Sequence, residues 1–107
     1  MDSSHYRFTL NAKNDLNSIL AYISIDLSNP IAANNFLNKL LDKIDSICFF
    51  PESCPLVINE FIKNDSIRKA NVGHYVIYYI YDENESAINI IRIIYGKRNL
   101  EEILKLL

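Results

Sequence analysis

HYVIYYIYDENESAINIIRIIYGKR, His74–Arg98, sets two apolar runs on either side of one short polar insert. The first run, His74 to Asp82, is almost wholly aromatic or aliphatic. A strand of that composition is covered on both faces, so it belongs in the middle of a sheet. Asp82 to Ser86 has the composition of a tight turn. Ala87 to Tyr95 then returns as the partner strand of a hairpin. Strict alternation places Ile88, Ile90, Arg92 and Ile94 on one face, with Asn89, Ile91, Ile93 and Tyr95 on the other. Gly96 at the strand's end is expected to take a positive φ and project Lys97 and Arg98 from the sheet edge.

Upstream, Ile67 to Val72 reads as another strand, and 56–65 as irregular chain with at most a little extended structure. Pro51 and Pro55 punctuate the end of a helix. In that helix Ala33, Phe36, Leu37, Leu40, Leu41, Ile44, Ile47 and Cys48 share a broad face, with Asn29 as cap and Pro30 at its first position. A preceding helix of about four turns carries Leu16, Ile19, Leu20, Ile23 and Leu27 as one stripe. His5 to Leu10 alternates and reads as an opening strand. Leu100, Ile103, Leu104 and Leu107 suggest a short last helix. The order is β-α-α-β-β-β with that added helix. Neither long helix can bury its stripe alone. The expectation is an α+β fold, one domain over 1–107, with a helical hairpin packed on one face of a small antiparallel sheet.

Composition narrows the function. The chain has 107 residues, half of them hydrophobic, and a formal charge of −2. That suits one globular core and argues against a general nucleic-acid coat. Charge is segregated: 1–65 hold five cations and eight anions, whereas 66–107 hold six and five. The opening residues lack an apolar leader and no run reaches membrane-span length, so a soluble, cytoplasmic protein is expected. Cys48 and Cys54 have no partners at metal-ligand spacing. Two free thiols are expected, with no metal and no cofactor.

The candidate binding residues are Arg68, Lys69, Arg92, Tyr95, Lys97 and Arg98. An arginine inside an apolar run must reach solvent, a carboxylate or an anionic ligand. For Arg92 an ion pair to an acid on a neighbouring strand is the leading expectation. Arg68 is expected to approach the Arg92 or Arg98 end if the strands pair antiparallel, which would build an anion site. His5 and His74 read as surface or turn residues, and most tyrosines as core aromatics with polar tips.

The ordered set of these segments resembles the RelE/ParE superfamily of bacterial type II toxin–antitoxin toxins over almost the whole chain. The pieces are DLNSILAYI, NPIAANNFLNKLLDKIDSI, a Phe-Pro loop, IRK before GHYVIYYIYD, and INIIRIIYGKRNLEEIL. The resemblance implies a helical hairpin on a small curved antiparallel sheet. It also implies a growth-inhibiting, plasmid-stabilising toxin neutralised by a cognate antitoxin, and it is compatible with a homodimer. Two activities follow from it: ParE-like inhibition of DNA gyrase, or RelE-like cleavage of mRNA on the ribosome. In many cutting relatives an arginine follows the tyrosine of the first hairpin strand; here Val76 follows Tyr75. Another cutting branch has Arg-x-His-Tyr, where Ile94 replaces the histidine. A functional tyrosine six residues after Gly-Lys-Arg is replaced by Leu104. These departures favour the ParE-like branch. In the alternative, Arg68, Arg98 and Tyr95 would be the catalytic candidates.

Overall fold

The computed structural model describes residues 4–57, 66–98 and 100–107. Strand β1 (His5–Phe8) leads into helix α1 (Leu10–Ala21), which runs on into one π-helical turn (Tyr22–Asp26). Helix α2 (Pro30–Phe49), strands β2 (Ile67–Val72), β3 (Tyr75–Asp82) and β4 (Ala87–Tyr95), and helix α3 (Leu100–Leu106) complete the chain. The α+β architecture expected from the sequence is present: α1 and α2 form a hairpin on a four-stranded sheet of order β1-β4-β3-β2.

Local chemistry explains the boundaries. Thr9 stops β1 before Leu10, because its hydroxyl accepts the Ala12 N–H at 3.1 Å and caps α1. Leu10 therefore begins a helix and is exposed, not the inward end of a strand. Asn29 caps α2 by accepting the Ala32 N–H at 3.0 Å, and Pro30 occupies the first turn. The π-helical turn breaks the single stripe expected for α1. Leu16, Ile19, Leu20 and Ile23 pack on the core, whereas Leu27, beyond that turn, emerges to solvent. Residues 58–65 of the expected irregular segment lie outside the described residues; Leu56 forms an isolated antiparallel bridge to Arg68.

The sheet is mixed. β2, β3 and β4 are antiparallel, as expected, but β1 pairs with β4 in parallel, His5 opposite Ala87 through Phe8 opposite Ile90. β3 is interior and covered on both faces. On one face Ile77 and Tyr79 join Ile88, Ile90 and Ile93 under Phe36, Leu40, Ile44 and Ile47 of α2. On the other, Tyr78, Ile67 and Ile94 pack against Ile103 of α3. The second face is therefore closed by the C-terminal helix, not left available by a hairpin on one side alone.

A β-bulge corrects the alternation in β4. Tyr79 pairs with Ile90 but Tyr78 pairs with Arg92, so Ile91 is the extra residue. Beyond it parity inverts. Ile93 joins Ile88 and Ile90 under the helical hairpin, and Ile94 faces α3.

Gly96 also differs from expectation. The positive φ belongs to Gly73 (+57°), in the two-residue β2–β3 turn. Gly96 is needed for close approach: its N–H donates to the His74 carbonyl at 2.8 Å, and an added Cβ would stand 3.1 Å from that oxygen. A Gly96→Ala variant is expected to lose about 1 kcal/mol in urea denaturation, because a backbone carbonyl cannot swing aside as a side-chain tip can.

Burial also sets an alkaline limit. The Tyr79 side chain is fully buried and its hydroxyl donates to the Pro51 carbonyl at 3.0 Å. Burial pushes the phenols of Tyr79, Tyr78 and Tyr75 above their ordinary value near 10. The folded chain thus holds protons that the unfolded chain releases above pH 10. Stability is full below that pH and falls above it, by up to ~1.4 kcal/mol per pH unit for each such tyrosine. Thermal melts from pH 8 to 11.5 should show a plateau followed by a steep decline. The decline should be shallower in Tyr79→Phe.

Candidate functional site

β1 ends at Phe8, so β4 loses its parallel neighbour after Ile90. An unpaired strand edge exposes backbone donors. Here α1 supplies the missing partner. One Asp15 carboxylate oxygen accepts the Ile93 N–H at 3.0 Å and Arg92 Nε at 2.7 Å. Its other oxygen accepts Arg92 Nη2, also at 2.7 Å. Arg92 and Asp15 side chains are 17% and 15% exposed. The fork raises the Arg92 pKa further, chiefly through the hydrogen bonds to Asp15 and against the opposing effect of burial. The acid lies on α1 and not on a neighbouring strand, because the bulge at Ile91 brings Arg92 to the free edge.

This ion pair lines a cleft of about 700 Å³ between the α1–π segment and the ends of β3 and β4. Ile19, Ile23 and Leu27 line its helical side. Tyr22, His74, Tyr95 and Arg98 are exposed around it. Tyr95 packs on Tyr75 with ring centroids 5.6 Å apart, and Tyr75 packs on Phe36 at 5.2 Å. Tyr75 and Tyr95 are thus anchored to α2 through tilted ring contacts. Burial, with Tyr22 and Tyr95 nearby, raises the Tyr75 phenol, which is the wrong direction for a general base at neutral pH.

Of the six sequence candidates, Arg92, Tyr95 and Arg98 line this cleft, and Lys97 is exposed on the same turn. Neither Lys97 nor Arg98 has an ion pair with a described residue. Lys69 is exposed and stands in one row with Tyr78 and Arg92 across three strands. At ordinary strand spacing that puts it roughly 10 Å from the β4 backbone.

Arg68 does not converge with Arg92 or Arg98. It pairs with Tyr79, in the row next to that of Tyr78 and Arg92, yet its Nη1 donates to the carbonyls of Cys54 at 2.6 Å and Glu52 at 3.3 Å. Those bonds tie down the loop after α2. Asp15, Tyr22 and the cleft-lining position of His74 escaped sequence reading. No motif marks them, and only the register of β4 against α1 brings them in. Among the described residues no cluster of three or more His, Cys, Asp or Glu is placed to hold a metal, and no helix is long and apolar enough to cross a membrane. Cys48 and Cys54 are both free thiols.

Residues 6–100 match the family model of the ParE toxin of the type II toxin–antitoxin system, parDE. No curated protein matches the sequence significantly. A chain of the chromosomal ParDE TA system from P. aeruginosa aligns with a TM-score of 0.67 at 14% identity, covering 89% of this chain and 97% of that one. The RelBE2 toxin-antitoxin complex from Mycobacterium tuberculosis gives 0.61 at 17% identity, over 88% and 99%. The isolated E. coli RelE toxin gives 0.56 at 13% identity, over 98% and 100%. At these identities the structural likeness establishes a shared fold.

Proposed function

The chain belongs to the ParE toxin family of type II toxin–antitoxin systems, and from that premise we propose that it arrests growth by binding DNA gyrase and is neutralised in the cytoplasm by a cognate antitoxin. The cleft at the end of β4 carries this reading. It is a preformed surface of tyrosines with two cations on its closing turn, Lys97 and Arg98, and suits docking of an acidic, partly apolar protein segment. Catalysis needs more: a base within hydrogen-bond reach of a 2′-hydroxyl and cations aimed at the phosphate. Arg92 is committed to Asp15, Arg68 to loop carbonyls, and the Tyr75 phenol is held protonated.

One observation favours the ribosome-dependent mRNA endonuclease as a second reading: His74, Tyr95 and Arg98 line one cleft. Tight induction in a bacterial host without antitoxin, following mRNA and plasmid topology together, separates the two. Growth arrest with intact mRNA and falling supercoiling is the expected result. Cuts inside translated regions would instead make His74 and Arg98 the first catalytic mutants to test.

A further inference from the structure

The C-terminal end of α2 has a second hollow, of about 540 Å³, built from other residues than the β4 cleft. Phe49, Phe50, Glu52, Tyr81 and Glu83 line it. Phe49 is 62% exposed and Phe50 68%, an unusual exposure for two consecutive phenylalanines. Neither makes a ring–ring contact with Tyr81, and most of each side chain is in solvent. The charge around them has one sign. Glu52 and Glu83 are exposed and have no ion pair with a described residue, whereas neighbouring Glu85 is bridged to Arg7 at 2.8 Å. The 20-residue helix α2 ends here with no basic residue in its last turn, so the negative end of its dipole adds to both carboxylates. Arg68, which holds this loop, donates to the Glu52 carbonyl and not to its carboxylate. The loop is also fixed by Tyr79 through Pro51, so the hollow is preformed.

We propose that this hollow receives an arginine or lysine side chain from a basic segment of a partner protein, the cation lying on the phenylalanine faces between the two carboxylates. Aromatic faces and unpaired acids together attract a cation more strongly than either alone. The site is independent of the proposed gyrase contact, so it stands or falls separately from that reading.

The test is a titration of the full chain with a capped peptide of alternating arginine and glycine, followed by amide chemical shifts. Shifts centred on Phe49, Phe50, Glu52, Tyr81 and Glu83 are expected, with affinity weakening as salt rises. Glu52→Gln combined with Glu83→Gln, and separately Phe50→Leu, should each weaken binding about tenfold. These positions are exposed, so circular dichroism should be unchanged. Shifts spread over every acidic side chain, equal binding of spermidine, or an unaltered affinity in both variants would overturn the proposal. So would self-association that depends on Phe50 and ignores salt, since a second copy would then occupy the hollow.

Discussion

Asp15→Ala is expected to lower the unfolding free energy by about 3 kcal/mol, the largest single effect outside the apolar core. Removing one partner of a buried ion pair costs roughly 3–5 kcal/mol because the other charge is left buried and unpaired. The pair here retains some solvent contact, which trims that figure. A second loss restores part of it: the Ile93 N–H, on the strand edge that β1 does not reach, loses its acceptor. Asp15→Asn can still accept that N–H and should cost less. The replacement of both charges, Asp15→Leu with Arg92→Met, should cost less than Asp15→Ala alone. Urea denaturation of the parent chain, Asp15→Leu, Arg92→Met and the double variant closes the cycle. A double variant as unstable as the sum of its singles would show that the two charges do not support each other.

Local signals explain what the sequence disclosed. β2 and the start of α2 were legible because alternation, the Asn29-Pro30 cap and the polar turn at 82–86 are encoded within a few residues. The turn even caps itself, with Asp82 accepting the amides of Asn84 and Glu85. The inversion in β4 was not legible. Nothing within AINIIRIIY marks Ile91 as the extra residue, since the bulge exists only relative to β3. The role of Asp15 was hidden for the same reason, as its partners lie 77 and 78 positions away. Arg68 looked like a ligand residue because antiparallel pairing was expected to carry it to the Arg92 or Arg98 end. Its real partners are backbone carbonyls, which leave no trace in side-chain chemistry. Gly96 was recognised as special for the wrong cause, because close approach and positive φ select the same residue.

Reversing the two cations of the closing turn, Lys97→Glu with Arg98→Glu, is expected to abolish growth arrest while leaving the fold intact. Both side chains are exposed and neither joins an ion pair with a described residue. The bond that shapes the turn runs from the Arg98 N–H to the Tyr95 carbonyl at 3.1 Å and survives any side-chain change. Stability should therefore move by no more than about 0.5 kcal/mol. Binding is another matter. A hydrogen bond to a charged group contributes roughly 1.5–3 kcal/mol, and reversal adds repulsion against an acidic target. Loss of one such contact weakens binding roughly ten- to hundredfold, and both together should raise the inhibitory concentration in a gyrase supercoiling assay beyond reach. Tyr95→Phe is the informative companion: it keeps the ring contact with Tyr75 and removes only the hydroxyl, so its effect should be several-fold at most. A folded charge-reversed protein that still stops growth would place the target contact elsewhere than on this turn.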